Sequence, residues 1–375
     1  MSKQNDLQSN QRSGILICGS YGLGNAGDEA ILKAILQEVR TAAPGEEITV
    51  LSRNPAETAE RHGVKALHMF DVPAWRSAMG RARLYINGGG NLIQDVTSRR
   101  SLWYYLFTLR TAKKCGCKVM MYGCGIGPVR NTQDMSMTRR TLNRYVDAIT
   151  LREDASLKEL RRYGVDGPEV ILSADPALIL QRAGEAEIDR LMEENGLDPK
   201  GNYLGLCLRS WPGFEEKAPA FAEAVRRAGE QYGLSPVFIS INHRSDGAAA
   251  DLVADRLDKP ACVIRQPLST ELTLGLMSRM QAVVSMRLHG LIFAAGQGIP
   301  LVGVVYDPKV SAFLSYMGQN LYEDLKDVTV ESLNAKLDRA LALRDDRAAL
   351  EAAVTHLRTI EQNNSATVRK LLQNN

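Results

Sequence analysis

Gln281-Ala282-Val283-Val284-Ser285-Met286-Arg287-Leu288-His289-Gly290 passes from an apolar run directly into a helical pattern. Residues 281–286 read as a buried strand, and 288–298 as the helix that follows it. A strand feeding a helix in one step is the unit of a parallel α/β sheet. The turn between them delivers a guanidinium, Arg287, and an imidazole, His289, to the strand's carboxyl end. Unpaired N–H groups of a helix start stand beside them. In open α/β sheets ligands bind at that edge, and a helix N-terminus favours anions. After the next strand, 301–305, Tyr306-Asp307-Pro308-Lys309 carries a second cation to the same rim. The alternative is an arginine on a solvated helix start and a histidine packed in the core. Cations at two successive strand ends favour a site for a small, highly charged anion.

The same alternation extends in both directions. In the first half, strands are expected at 14–18, 48–52, 83–87, 118–122, 147–151 and 169–172, with helices that include 28–41, 99–114, 133–145 and 155–163. A second series of strands begins at 203–208 and continues at 237–241, 261–264, 281–286 and 301–305. The polar stretch 181–202 separates the two series and reads as the hinge. Two Rossmann-like α/β domains facing each other across a cleft account for this pattern. They would be an N-terminal domain over 14–180 and a C-terminal domain over 203–322. A helical tail, 323–375, has helices at 331–343 and 346–372, with Leu350, Val354, Leu357 and Ile360 at helical spacing. Such a tail is expected to pack across the hinge.

Composition narrows the functions open to this chain. It has 375 residues, 45% hydrophobic and 24% charged, as in ordinary globular proteins. The net charge of +3 argues against a dedicated nucleic-acid binder, although a basic cluster can hide within a balanced total. Six scattered cysteines include no CxxC pair, so buried, reduced thiols are expected rather than a zinc knuckle. The polar residues 1–13 lack the apolar segment of a signal peptide, and no run is long enough to span a bilayer. A cytoplasmic protein is the expectation. No metal is demanded.

Several loops at strand ends carry polar chemistry. Gly22-Leu23-Gly24-Asn25-Ala26-Gly27 spells GxGxxG between a strand and a helix, which invites a dinucleotide reading. Against it, Asp28 and Glu29 in the helix's first turn would repel a pyrophosphate. The second strand ends in Ser52-Arg53 without the acid that holds a ribose diol, although Arg53 would suit a 2′-phosphate. Asn25, Asp28 and Glu29 can instead meet the hydroxyls of a sugar, or Asp28 and Glu29 can simply cap the helix. Asn87-Gly88-Gly89-Gly90-Asn91 follows another strand and lets backbone approach a ligand closely, with Asn91 and Asp95 as polar tips. Gly123-Cys124-Gly125-Ile126-Gly127-Pro128 repeats the device, with Arg130 two residues on. Arg152-Glu153 reads as an internal ion pair, and Asp175-Pro176 as a structural turn. In the second half Arg209 and Asn242-His243-Arg244 end strands. With Arg287, His289 and Lys309 they form a cationic wall, while Asp28, Glu29 and Asp95 belong to the facing domain. An anionic donor on one side and a hydroxylic acceptor on the other would suit that polarity.

Taken together, the Gly24-Asn25-Ala26-Gly27-Asp28-Glu29 loop, the triple-glycine loop Asn87–Asn91, the Gly125-Ile126-Gly127-Pro128 turn and Arg287-Leu288-His289-Gly290 resemble the polysaccharide pyruvyl transferase family. Within it the chain is most similar to bacterial enzymes that pyruvylate secondary cell wall polymers, which serve in S-layer anchoring. The resemblance runs from about Gly14 to Lys309. It implies a fold like that of two-domain GT-B glycosyltransferases, phosphoenolpyruvate as donor substrate, and no cofactor. The acceptor it implies is a lipid-linked glycan carrying β-N-acetylmannosamine, pyruvylated as a 4,6-ketal. Such an acceptor is compatible with transient membrane association at the inner face. By the same resemblance Arg287 and His289 occupy the family's Arg-Leu-His positions, Lys309 is the following basic residue, and Arg130 matches the arginine after the glycine turn.

The residue chemistry agrees. Phosphoenolpyruvate carries a carboxylate and a phosphate on one small frame; arginine can grip either bidentately and lysine supplies a point charge. His289 is the candidate general acid or the partner of the leaving phosphate. Arg287, Lys309 and Arg130 are candidates for charge stabilisation. Asn25, Asp28, Glu29, Asn91, Asp95, Arg209 and Arg244 are candidate substrate-binding residues. A nucleotide-sugar glycosyltransferase of the same architecture is the competing reading, since a cationic domain would equally hold a diphosphate. An NADP oxidoreductase and a non-catalytic carbohydrate-binding protein are further alternatives.

Overall fold

The computed structural model describes residues 12–344 and 346–373. Its elements run β1 (Ile15–Cys18), α1 (Ala26–Ala42), β2 (Ile48–Ser52), α2 (Pro55–His62), β3 (Lys65–His68), α3 (Val72–Arg81), β4 (Leu84–Ile93), α4 (Arg99–Lys114), β5 (Lys118–Ile126), α5 (Thr132–Tyr145), β6 (Ala148–Leu151), α6 (Asp154–Tyr163) and β7 (Glu169–Leu172). The second series is α7 (Glu185–Glu194), β8 (Tyr203–Cys207), α8 (Phe214–Tyr232), β9 (Ser235–Ile239), α9 (Gly247–Ala254), β10 (Cys262–Ile264), α10 (Thr270–Ser278), β11 (Met280–Ser285), α11 (Leu288–Gly296), β12 (Leu301–Val305), α12 (Pro308–Tyr316) and β13 (Tyr322–Asp324). Three helices follow: α13 (Val330–Ala342), α14 (Ala348–Glu361) and α15 (Asn363–Gln373). The chain divides into two compact α/β units, each built on one wholly parallel sheet.

The first unit has the strand order β3-β2-β1-β4-β5-β6-β7. Buried on both faces, β1 reads Ile-Leu-Ile-Cys without polar alternation, as central parallel strands do. One layer of core holds Trp75, Leu102, Leu106 and Leu109; the other holds Ile31, Ile35, Val368 and Leu371. The triple glycine is not a turn. β4 runs on through it, pairing Gly88 with Tyr122 and Gly90 with Cys124 before the register shifts. A Cβ on Gly89, whose φ is +63°, would stand 2.0 Å from the Ile31 side chain, so these glycines let α1 lie directly on the strand. Cys18 and Cys124 are fully buried, and burial pushes their thiols up to about 11 and about 12.

The second unit has the order β10-β9-β8-β11-β12-β13. In both sheets the winding reverses beside the first strand of the series, at β1/β4 and at β8/β11, and such switch points are where α/β sheets bind ligands. The core of the second unit includes Phe221, Phe238, Val284, Val302 and Leu337.

Three expected boundaries need correction. The stretch 181–202 is not a hinge: within it α7 buries Ile188, Leu191 and Met192, and α10 accommodates Ile188 at Gly275, where a Cβ would be 2.5 Å away. The change of unit falls instead between Ser173 and Ala174. The tail 323–375 is not a domain of its own. β13 and α13 complete the second unit, α14 belongs with it, and α15 belongs to the first, where Val368 and Leu371 enter the core. The single helix expected at 346–372 is therefore two. Residues Gly24–Ala30, read as part of the N-terminal domain, are grouped with the second unit.

Candidate active site

Four adjacent strands of the second unit, β9, β8, β11 and β12, bring Arg244, Arg209, Arg287 with His289, and Lys309 to one edge of the sheet. The Gly24–Ala30 loop is stitched to that same edge. Ala26 N–H donates to the Ile241 carbonyl at 2.7 Å, and Asn25 forms a β-bridge with Asn242. Asn25 also caps α1, its Oδ1 accepting from Gly27 N–H at 3.0 Å, which occupies the oxygen expected to meet a sugar. Two glycines make the fit. Gly24 has φ +76°, and a Cβ there would lie 2.7 Å from His243 Nε2. A Cβ on Gly27 would lie 2.1 Å from His289 Nδ1 and 2.3 Å from its Cγ, so the imidazole rests flat against the bare glycine. Asp28 and Glu29, half-buried in the first turn of α1, thus belong to the unit of the cations and not to a facing domain.

His289 is mostly buried, with 11% of its side chain exposed. Its Nε2 lies 3.7 Å from Asp175 Oδ2 and makes no hydrogen bond, and its ring packs on Phe293. Asp175, read from sequence as a structural turn, is buried and also caps a short 3-10 turn through Ala177 N–H at 3.1 Å. A buried carboxylate facing an imidazole helps to fix the orientation of the ring. Gly290 explains the end of the Arg-Leu-His-Gly motif. A Cβ there would stand 2.5 Å from Ser285 Oγ and 3.0 Å from Cys207 Sγ, so glycine allows α11 to start flush on the sheet.

Arg287 differs from the expectation. Its Nε donates to Asp246 Oδ2 at 3.0 Å, and its Nη2 bonds Asp246 Oδ1 and Ser245 Oγ. Asp246 is itself buried and accepts from Ile241 and Asn242 N–H at 3.1 and 2.8 Å. The guanidinium is committed to a bidentate partner, with its charge balanced, rather than presented to an anion. Its place is to hold the loop after β9, and Asp246 is a site residue that the sequence reading missed. The remaining cations are less committed. Arg209 donates to Tyr306 Oη at 2.8 Å and stacks within 4.9 Å of both the Trp211 and Tyr306 rings. Lys309 lies 3.4 Å from Asp307 and 5.5 Å from the Tyr306 ring centre. Arg244 is exposed. Trp211 and Tyr306 also line an open groove of about 570 Å³ at the ends of β8, β12 and β13, with Lys217, Asp307 and Lys326 on its walls.

Asn91, Asp95 and Arg130 lie in the first unit. Asp95 accepts from Arg130 N–H at 2.9 Å and Asn131 N–H at 2.8 Å, so it shapes this loop; the Arg130 residue itself is exposed. Asn91 Oδ1 is buried without a hydrogen bond, and its amide is close enough that a Cβ on Gly127 would be 2.5 Å from Nδ2. Arg152 and Glu153 form the internal ion pair read from the sequence, at 2.9 Å, under Gly125.

Two Rossmann-type α/β units, the second with a cation-lined sheet edge, make up a fold of the GT-B class. The chain belongs to the polysaccharide pyruvyl transferase family, whose model matches residues 25–308. It is 22% identical to the amylovoran biosynthesis protein AmsJ of Erwinia amylovora, over 93% of this chain and 95% of that protein. Among solved structures it resembles Anabaena Alr3699/HepE in complex with UDP-glucose, with a TM-score of 0.65, 11% identity and coverage of 95% and 99% of the two chains. A glycosyltransferase from Rickettsia africae ESF-5 matches with a TM-score of 0.62, 10% identity and coverage of 97% and 100%. The UDP-GlcNAc 2-epimerase of Methanocaldococcus jannaschii matches with a TM-score of 0.63, 13% identity and coverage of 87% and 92%. These likenesses establish the fold.

Proposed function

We propose that this pyruvyl transferase takes pyruvate from phosphoenolpyruvate and sets it as a 4,6-ketal on a sugar, releasing phosphate. The acceptor we assign is β-N-acetylmannosamine in a lipid-linked cell wall polymer precursor. The observation that carries the reading is His289, held between Gly27 and the Asp175 carboxylate at a sheet edge that also bears Arg209, Arg244 and Lys309. In the reaction His289 protonates the methylene carbon, which makes the adjacent carbon electrophilic. A sugar hydroxyl attacks that carbon and loses its proton to Asp28 or Glu29. Phosphate departs, and the second hydroxyl closes the ketal, its proton leaving with the phosphate. Arg209, Arg244 and Lys309 supply charge for the phosphate and carboxylate, and such donors are often worth ~100-fold in rate. Arg287 acts through Asp246 by fixing the loop that carries Arg244.

The test is phosphate release from phosphoenolpyruvate with and without a lipid-linked β-N-acetylmannosamine acceptor, with mass spectrometry of the product. Acceptor-dependent release and a product heavier by one pyruvate ketal are expected. No release with a verified acceptor and folded enzyme, together with turnover of a nucleotide sugar, would overturn the reading in favour of glycosyl transfer.

A further inference from the structure

The near-neutral chain hides a basic segment. Between Phe70 and Val146 there are thirteen Arg and Lys against three Asp and no Glu, while the whole chain carries only +3. The segment holds α3, α4 and α5, and α4 packs between the other two. The residues that α4 exposes are Arg99, Arg100, Trp103, Phe107, Arg110 and Lys114. From Arg100 onward they recur at alternating steps of three and four, which makes one continuous helical face of aromatic rings flanked by cations. None of the three helices exposes an acid: Asp134 is buried, and α3 contains none, its exposed Asp71 being the cap before it.

The large apolar side chains exposed in this segment are Phe70, Val72, Trp103, Phe107 and Met137, with Val96 in the loop before α4; Phe70 is exposed at 55% and the two on α4 at 44% and 48%. They are held in place. The Trp103 indole N–H donates to Asp134 at 2.9 Å, Arg99 pairs with Asp134 at 2.6 Å and lies over the indole at 5.1 Å, and Arg53 covers Phe70 at 4.7 Å. Phe107 touches the core only through the edge of the buried Trp75 ring, at 5.9 Å between centroids, and about half of its side chain stays in water, as does much of Trp103.

We propose that the α3–α4–α5 face docks on an anionic phospholipid surface. Amphipathic rings that sit at headgroup depth, arginine stems that lie along apolar surface, and three helices that expose no acid, with Asp71 at the start of α3 as the one exposed carboxylate beside them, are the chemistry of interfacial helices. No described helix is long and apolar enough to cross a membrane, so the contact is peripheral. A nucleic acid would use the cations but leave the apolar stripe unsatisfied, and a second copy of this chain would set like charges against each other. The proposal rests on the proposed function only for its purpose, which is access to a lipid-linked acceptor. Its test reads vesicle binding, which does not depend on turnover.

The test is co-sedimentation of the full chain with vesicles of phosphatidylcholine alone and of phosphatidylcholine mixed with phosphatidylglycerol, in physiological salt. Selective binding to the anionic vesicles is expected. Trp103→Ala/Phe107→Ala should weaken it by on the order of tenfold, from the apolar area withdrawn. Arg100→Ser/Arg110→Ser should weaken it roughly fivefold per cation, while Lys259→Ser on the second unit leaves it unchanged. Circular dichroism and the thermal melt should match wild type in all variants. Equal binding to neutral vesicles, no binding to either, or binding indifferent to these four residues overturns the proposal. Self-association lost in Phe107→Ala, or competition by RNA in place of vesicle binding, likewise overturns it.

Discussion

Replacing Gly27 by alanine isolates the contact that joins the first glycine motif to the last. The residue lies in the first turn of α1 with ordinary helical φ, so the backbone accepts alanine, and helix propensity favours it by ~0.5–1 kcal/mol. The added Cβ, however, would stand 2.1 Å from His289 Nδ1, against an ordinary contact of 3.4 Å or more. Because Cγ is equally close, rotation about the ring cannot relieve the overlap, and the imidazole must recede by more than 1 Å from Gly27. A displacement of that size can cost on the order of 100-fold in rate. Gly27→Ala should therefore lower kcat for phosphate release about 100-fold while the melting temperature stays within a few degrees of wild type. Because the whole effect passes through His289, Gly27→Ala/His289→Ala should be no slower than His289→Ala alone. Wild-type turnover by Gly27→Ala, or full additivity in the double variant, would refute the reasoning. A collapse of stability with the loss of rate would also count against it.

Three further outcomes follow from the same geometry. Asp175→Asn keeps the cap to Ala177 but removes the charge 3.7 Å from His289 Nε2, so kcat should fall ~10–100-fold with the thermal melt little changed; unaltered kinetics would deny Asp175 its positioning role. Arg287→Ala strands the buried Asp246 carboxylate and should cost ~3–5 kcal/mol in urea unfolding, and removing Asp246 as well should cost less than the two single losses added together. The Arg99 guanidinium, with the Trp103 indole, holds the Asp134 carboxyl below the usual carboxylate range. A depressed folded-state pKa stabilises above the unfolded value, near ~3.9, and that stability fades as pH falls through the lower folded value. The stability gap between wild type and Asp134→Asn should thus be fully open at neutral pH and shrink in acid; a gap independent of pH would contradict the pairing.

Sequence by itself determined the α/β class, the two series of strands and most of their places. Periodicity and apolar runs are local properties, and α4, β2, β7 and β12 fall where the pattern put them. It also determined which strand ends carry ionic chemistry, since Arg209, Arg244, Arg287, His289 and Lys309 all follow strands of one sheet. Tertiary structure alone decided what each group does there. Whether a guanidinium is presented or spent depends on a partner distant in sequence, and Asp246 lies 41 residues before Arg287. The loop Gly24–Ala30 joined the second unit because two glycines admit two histidines, an approach that no local pattern encodes. Likewise, the helix of 99–114 was legible from its spacing, but its exposed face became a surface only when α3 and α5 packed beside it. Local order follows from short-range propensity, whereas charge pairing, close approach and exposure are set by which distant segments the fold brings together.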